Sequence, residues 1–425
     1  MNISSDDPVT AKEILYLNFN QTSTTLTVGS KNGYMIYDLD QVYECSPTYE
    51  SRNIGDICII ERNYTSSLVA YVSLHSPRSL VFYNYAKGAE IAEKLFPNTV
   101  LSVKLNREFI AVCLEDSIYI ISLKNINDGS MHAITNIPTN VKGLCSMTSK
   151  DSPTLIAYPC SCTNGHVQIF DATKKKPNTT IPAHASPLAA LTFDDSGQKL
   201  ATASVKGTVI RIFSLETDRI LFEFRRGVKR YAEIYCLSFD INSQFLCASS
   251  NTETVHIFKL SAEETVEPYD EESESWMDKI GKVLTVSAQY LPAQMSDVFT
   301  QQRSFAYVHL PFCGQKTVCA ISVIKNQPYV MVASLEGILY IYELNTEVGG
   351  ACQLVKQHRI EGPLQPYMVP CSCFSSKSDA EIKEMEGKGR KESVSQPIHF
   401  DEMLPDKPVS VIATNELPPI LNTVE

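Results

Sequence analysis

The stretches SPLAALTFDDSGQKLATASVKGTVIRIFS (residues 186–214) and EIYCLSFDINSQFLCASSNTETVHIFK (residues 233–259) share one pattern. Each contains three short runs of apolar, β-branched and aromatic residues, and Asp, Asn, Ser and Gly separate the runs. Such runs favour extended strands, and the residues between them favour tight turns. The two stretches therefore predict a repeated unit of short antiparallel strands.

The last strand of this unit recurs along the chain, in the segments NGYMIYD, PRSLVFYN, DSIYIIS, GHVQIFD, GTVIRIFS, ETVHIFK and GILYIYE. The intervals between their last large residues are 46, 38, 49, 43, 45 and 84 residues; these residues are Tyr37, Tyr83, Ile121, Phe170, Phe213, Phe258 and Tyr342. A four-stranded propeller blade takes roughly 40–45 residues, and seven blades close a ring. We therefore predict an all-β fold, a WD-repeat-like seven-bladed β-propeller over residues 10–374. The chain has a single Trp, so the Trp-Asp dipeptide common in WD repeats is absent.

The longest interval predicts an insertion within the sixth blade, at about residues 261–304. Its first part, SAEETVEPYDEESES, is acidic and typical of a solvated run. In its second part, apolar residues recur at nearly helical spacing, among them Trp276, Ile280, Val283 and Leu284. This spacing favours an amphipathic helix lying in a membrane interface. A helix folded back on the propeller is the alternative.

Residues 375–425 lack strand periodicity, and their composition predicts a disordered tail. The formal net charge of -11 argues against nucleic-acid binding through bulk charge, which needs excess Lys and Arg. The first residues lack the pattern of a signal peptide, and no stretch is apolar enough to span a membrane. We therefore expect a soluble intracellular protein that is monomeric in solution.

The sequence contains no motif that carries catalysis. It has no G-x-S-x-G, Walker A or H-E-x-x-H pattern. Its 13 Cys are scattered, and none has the paired spacing of a zinc site. We expect no enzyme activity, no metal and no cofactor.

The segment FRRGVKR places four cations within residues 225–230 of an acidic chain. Arg225 and Arg226 follow the predicted outer strand of the fifth blade. Adjacent residues of an extended strand point in opposite directions, so the two arginines are expected to serve two separate sites. Gly227 would let the backbone turn away. The alternative is a solvated cationic turn, or arginines paired with Glu223 and Glu233.

The fifth and sixth repeats each supply hydroxyl, imidazole or guanidinium groups near this segment. In the fifth repeat these residues are His184, Thr202, Ser204, Lys206, Thr208 and Arg211. In the sixth they are Ser249, Ser250, Asn251, Thr252, Thr254 and His256. Arg gives charge-assisted bidentate hydrogen bonds to phosphate oxygens, and Ser and Thr add neutral donors. The two sets predict two related phosphate pockets, although each hydroxyl taken singly is typical of a turn.

The combination of FRRG after a KGTVIR strand with SSNTETVHIFKL resembles the PROPPIN family, in particular its WD-repeat phosphoinositide-interacting members of the autophagy branch. The resemblance covers about residues 12–350. It implies binding of phosphatidylinositol 3-phosphate and phosphatidylinositol 3,5-bisphosphate, and a membrane-inserting role for the sixth-blade loop. The implied first pocket contains Arg225, His184, Thr202, Ser204, Thr208 and Arg211. The implied second pocket contains Arg226, Ser250, Thr254 and His256.

Three further expectations accompany this resemblance. Protonation of His184 and His256 would make lipid affinity rise as pH falls. Arg107 and Lys124 match basic positions that bind an acidic segment of the autophagy-related 16-like protein, although Lys at the second position loses bidentate carboxylate binding. The implied location is the cytoplasm, with peripheral attachment to phagophore and endosomal membranes. A protein-binding scaffold propeller without lipid specificity is the alternative function.

Overall fold

The computed structural model of the protein describes residues 14–52, 54–149, 153–226, 231–260 and 304–360. These residues form 29 strands and one short 3-10 helix, Leu123–Asn125. The strands assemble into seven sheets, each built around four antiparallel strands in chain order. The predicted seven-bladed all-β propeller is thereby confirmed.

The bounds of the strands follow the repeat. The first blade contains β1 (Ile14–Phe19), β2 (Thr25–Ser30), β3 (Gly33–Asp38) and β4 (Pro47–Arg52). The second contains β5 (Ile57–Arg62), β6 (Leu68–Ser73), β7 (Ser79–Asn84) and β8 (Ala89–Leu95). The third contains β9 (Ser102–Leu105), β10 (Phe109–Cys113), β11 (Ser117–Ser122) and β12 (Met131–Thr135). The fourth contains β13 (Ser146–Met147), β14 (Leu155–Pro159), β15 (Gly165–Asp171) and β16 (Lys176–His184).

The remaining blades have the same plan. The fifth contains β17 (Leu188–Phe193), β18 (Lys199–Ser204), β19 (Val209–Ser214) and β20 (Ile220–Arg225). The sixth contains β21 (Ile234–Phe239), β22 (Phe245–Ser250), β23 (Thr254–Lys259), β24 (Ala306–His309) and the added β28 (Gly350–Ala351). The seventh contains β25 (Thr317–Ile324), β26 (Gln327–Ser334), β27 (Ile338–Glu343) and β29 (Gln353–Arg359).

Each of the seven repeated segments is the third strand of a blade, which accounts for the period. The interval of 84 residues arises because the insertion separates β23 from its partner β24 within the sixth blade. The sequence did not predict β28, which leaves the seventh blade and pairs in parallel with β24. β28 thereby covers the outer edge of the sixth blade. Among the described residues, the outer strands of the other six blades have no such additional strand.

The polar residues of the repeat stabilise the turns between first and second strands. In the fifth blade, the Asp194 carboxylate accepts hydrogen bonds from the backbone N–H groups of Gln198 and Lys199. In the sixth, Asp240 does the same for Gln244 and Phe245. These bonds satisfy backbone donors that the turn would otherwise leave unpaired.

The core consists of seven clusters of buried apolar side chains, one at each junction between neighbouring blades. The cluster that joins the first and seventh blades closes the ring, with Leu26 and Val28 packed in the same cluster as Met331. Two polar contacts strengthen this closure. The Tyr37 hydroxyl donates to the backbone oxygen of Ile360 at 2.5 Å, and His358 Nε2 lies 2.6 Å from the backbone oxygen of Val42.

The ring has two faces, which we name by their connections. The upper face carries the turns between second and third strands and the links between blades; the lower face carries the other two sets of turns. The Lys142–Glu233 ion pair, at 2.9 Å, joins two links of the upper face. A central channel of about 640 Å³, lined by first strands, runs between the faces.

Candidate phosphate pockets

The outer strands of the fourth and fifth blades end at equivalent positions on the upper face. His184 is the last residue of β16 and pairs with Gly165, and Arg225 is the last residue of β20 and pairs with Val209. Each therefore stands where its blade meets the next one. This equivalence brings residues from distant parts of the chain to the same two junctions.

Three of the residues assigned to the first pocket form one connected group. His184 Nε2 lies 2.9 Å from Thr202 Oγ1, and Thr202 pairs with Arg211 across the sheet. Arg211 donates from Nη1 to the Ala183 backbone oxygen at 2.6 Å and from Nε to Glu223 at 2.7 Å. The Arg211 guanidinium is therefore held in one orientation before any ligand binds, with much of its charge compensated by Glu223.

Two other residues assigned to the first pocket lie at the upper end of the same blade. Ser204 is buried at the end of β18, and Thr208 is half-buried at the start of the next strand. The Thr208 backbone oxygen accepts a hydrogen bond from the Arg226 N–H at 3.0 Å. This bond holds the arginine segment against the turn that precedes β19.

Arg225 differs from these residues because its Nε atom is buried and makes no hydrogen bond within the described part of the chain. A buried charged donor without an acceptor costs free energy, on the order of 1–3 kcal/mol or more. Glu223 and Glu233, the partners considered for the arginines, form ion pairs with Arg211 and Lys142. An anion placed here would satisfy the donor.

Arg226 extends to the sixth blade. Its Nη2 atom donates to Thr252 Oγ1 at 2.5 Å, and Thr252 Oγ1 lies 3.0 Å from Ser250 Oγ. Thr252 belonged to the broad hydroxyl set of the sixth repeat but was not assigned to the pocket. Thr252 lies in the turn between β22 and β23, and no sequence pattern connects it with Arg226, which is 26 residues upstream.

The remaining second-pocket residues lie on β23. Thr254 and His256 are two residues apart, so their side chains lie on one side of the strand. His256 Nδ1 lies 3.2 Å from Ser304 Oγ. Ser304 is the first described residue after the insertion, so the chain that follows the insertion contacts one residue assigned to the second pocket.

Both pocket histidines are neutral near pH 7 in the ligand-free protein. Burial, followed by the charge of Arg211, lowers the pKa of His184 to about 4. Burial, followed by the charges of Arg226 and His309, lowers the pKa of His256 to about 4. Desolvation and a nearby cation both disfavour the imidazolium. In this state neither imidazole carries a charge at physiological pH.

Arg107 and Lys124 lie together on the lower face of the third blade, at the opposite ends of the strands from the arginine segment. Arg107 Cζ is 4.5 Å from the centre of the Tyr64 ring, a cation–π distance. Lys124 Nζ is 2.9 Å from Glu108 Oε1, and both side chains reach solvent. The pair forms a cationic edge next to the second blade.

Several predicted residues lie outside the described part of the chain. These are Gly227 and the insertion residues Trp276, Ile280, Val283 and Leu284. The predicted tail lies outside it too. Within the described ranges, no helix is long and apolar enough to cross a membrane. In the same ranges, no group of three or more His, Cys, Asp or Glu side chains is arranged to hold a metal ion.

The fold and this geometry define a class of protein: a seven-bladed propeller that carries hydroxyl, imidazole and guanidinium groups at the junctions of its fourth, fifth and sixth blades. A family model described as PROPPIN matches residues 14–361. WD repeat domain phosphoinositide-interacting protein 2 of Gallus gallus is 49% identical over 354 residues, which cover 83% of this chain and 80% of that protein. The chain belongs to the PROPPIN family.

Two further similarities are of the same kind. Autophagy-related protein 18 of Caenorhabditis elegans is 42% identical over 362 residues, covering 82% of this chain and 86% of that protein. The solved structure of Kluyveromyces lactis Hsv2 with complete loop 6CD has a TM-score of 0.64 and 20% identity, covering 82% of this chain and 99% of that one. At that identity, the solved structure supports the fold alone.

Proposed function

We propose that the protein is a peripheral membrane protein that reads phosphatidylinositol 3-phosphate and phosphatidylinositol 3,5-bisphosphate during autophagosome formation. The observation that carries this proposal is the buried Nε of Arg225, which has no hydrogen-bond partner among the described residues and belongs to the strand that pairs with the strand of Arg211. Such a site favours an anion with several acceptor oxygens, which a phosphorylated inositol provides. The Gallus gallus relative is named as a phosphoinositide-interacting protein, which agrees with this chemistry.

The two arginines are proposed to bind headgroups in different pockets because of their positions. Arg225 closes β20 beside the first pocket, whereas Arg226 donates to Thr252 of the sixth blade. Two weak headgroup sites on one rigid ring raise the overall affinity for a membrane through avidity. Two lipids would therefore hold the protein more tightly than either pocket does alone.

An edge-on orientation brings all membrane-binding parts to one side. Arg225 and Arg226 lie at the upper end of the outer strand of the fifth blade, and the insertion joins β23 to β24 at their lower ends. If the rim of these blades faces the bilayer, the insertion can enter the interface while both pockets hold headgroups. We propose that Trp276, Ile280, Val283 and Leu284 supply its apolar face.

A second candidate function is recruitment of the conjugation machinery through Arg107 and Lys124. The lower face of the third blade stays free when the fifth and sixth blades meet the membrane. An acidic segment of the autophagy-related 16-like protein would replace Glu108 as the partner of Lys124 and contact Arg107. The protein would thereby move from the cytoplasm to phagophore and endosomal membranes together with this partner.

Liposome flotation tests the lipid-reading proposal. The protein is expected to float with vesicles containing either phosphoinositide and to stay unbound with vesicles lacking both. Arg225→Ala/Arg226→Ala should lose flotation. A matched control is Arg52→Ala/Arg78→Ala, because Arg52 ends the outer strand of the first blade in the position equivalent to Arg225. Equal flotation of wild type with both vesicle types would contradict lipid reading and favour the scaffold alternative.

A further inference from the structure

Two large apolar side chains lie exposed on the upper face beside the pockets. Val205 begins the turn between β18 and β19, and 48% of its surface is accessible; Tyr231 lies in the link between the fifth and sixth blades and is 68% accessible. Residues between strands are usually polar, because exposed apolar surface is unfavourable in water. Neither residue packs into the core clusters at its junction.

The backbone holds these two residues close together. The Ala232 N–H donates to the Lys206 backbone oxygen at 3.2 Å, which joins the neighbours of Tyr231 and Val205 directly. Gly207 allows this approach, because its φ is +61° and a Cβ there would collide with the Ala232 carbonyl oxygen. This hydrogen bond and the close approach at Gly207 therefore join the turn that carries Val205 to the link that carries Tyr231.

The surroundings of this surface favour a lipid partner. Lys206 is exposed and follows Val205 in the turn, and the backbone N–H of Arg226 binds the Thr208 oxygen of the same turn while its guanidinium reaches Thr252. Apolar and aromatic side chains bordered by cations are typical of surfaces that enter the interface of an anionic bilayer, where Tyr is especially favoured.

We infer that Val205 and Tyr231 form a second membrane-contacting surface, distinct from the sixth-blade insertion, that enters the headgroup region of an anionic bilayer. This inference rests on the proposed function, since the pockets bring the surface to the membrane. It adds affinity for the bilayer that does not depend on the inositol headgroup. It also fixes the tilt of the ring, with the upper edge of the fifth and sixth blades closest to the lipid.

The test compares two matched double variants. Val205→Ser/Tyr231→Ser removes the surface, and Tyr43→Ser/Val323→Ser removes side chains of similar exposure, 72% and 52%, from the lower face. Partition onto vesicles containing phosphatidylinositol 3-phosphate should fall about tenfold for the first variant only. Binding of soluble inositol 1,3-bisphosphate, measured by calorimetry, should be the same for both variants and the wild type.

Three results would overturn the inference: equal vesicle partition of the Val205→Ser/Tyr231→Ser variant and wild type, an equal loss in the lower-face variant, or a matching loss of soluble headgroup affinity. Each of these results is informative only when the wild type binds vesicles that contain phosphatidylinositol 3-phosphate better than vesicles that lack it. A wild type that shows no such preference would contradict the proposed function itself, so the two failures are distinguishable.

Discussion

Acidification should tighten headgroup binding in the first pocket through His184. In the ligand-free protein, burial and Arg211 lower the pKa of this imidazole to about 4. A phosphate beside the ring would raise the pKa, because an opposite charge favours the imidazolium. The bound state then takes up a proton more readily than the free state. Affinity therefore rises as pH falls through the bound-state pKa, and the gain is complete below about 4.

The size of the effect follows from the two pKa values. If a bound phosphate restores the ordinary value of 6.5, proton linkage predicts that affinity increases about 20-fold between pH ~7 and pH ~5. If the bound phosphate raises the His184 pKa by less, the headgroup affinity increases by less, and it does so at a lower pH. The prediction concerns the first pocket, so Arg226→Ala should serve as background to remove the contribution of His256.

Calorimetry with soluble inositol 1,3-bisphosphate at both pH values provides the assay. His184→Gln keeps a hydrogen-bonding side chain towards Thr202 but cannot be protonated. The ligand phosphates titrate equally in experiments with His184→Gln and with its parent. The difference between the two proteins in the affinity ratio of pH ~5 to pH ~7 therefore reports the contribution of His184 alone. An identical pH dependence in His184→Gln and its parent would refute the reasoning.

Three further outcomes are expected. Gly207→Ala should lower the free energy of unfolding by about 2 kcal/mol or more in urea melts, because the residue has positive φ and lies against the Ala232 carbonyl; an unchanged midpoint would contradict this packing. Arg107→Glu/Lys124→Glu should abolish capture of an acidic peptide from the autophagy-related 16-like protein without changing flotation, and retained capture would exclude this edge as the partner site. Deleting residues 276–299 should weaken vesicle binding while headgroup preference persists, whereas unchanged binding would favour an insertion folded back on the propeller.

The sequence predicted the ring because its signal is local and repeated. In each third strand the second-last residue is large and apolar, and short polar turns keep the spacing regular enough to count seven blades. The alternation of side chains along a strand also predicts that Arg225 and Arg226 point in opposite directions. The assignment of each arginine to a pocket remains a prediction, supported by the contact of Arg226 with Thr252.

Contacts between blades could not be predicted from the sequence, because ring closure brings together residues that share no local pattern. Glu233 and Lys142 are 91 residues apart and pair across the upper face. The strand β28 leaves its own blade to pair with β24, although its two residues carry no strand signal. Similarly, the low pKa of His184 depends on burial against Arg211, which only the assembled junction creates.

The central claim is that Arg225 and Arg226 serve two different headgroup pockets. Calorimetric stoichiometry with soluble inositol 1,3-bisphosphate tests it most directly. We predict two headgroups bound per wild-type chain, one for Arg225→Ala, one for Arg226→Ala and none for the double variant. A single headgroup bound by the wild type, lost completely with either arginine, would show that the two side chains form one site and would contradict the claim.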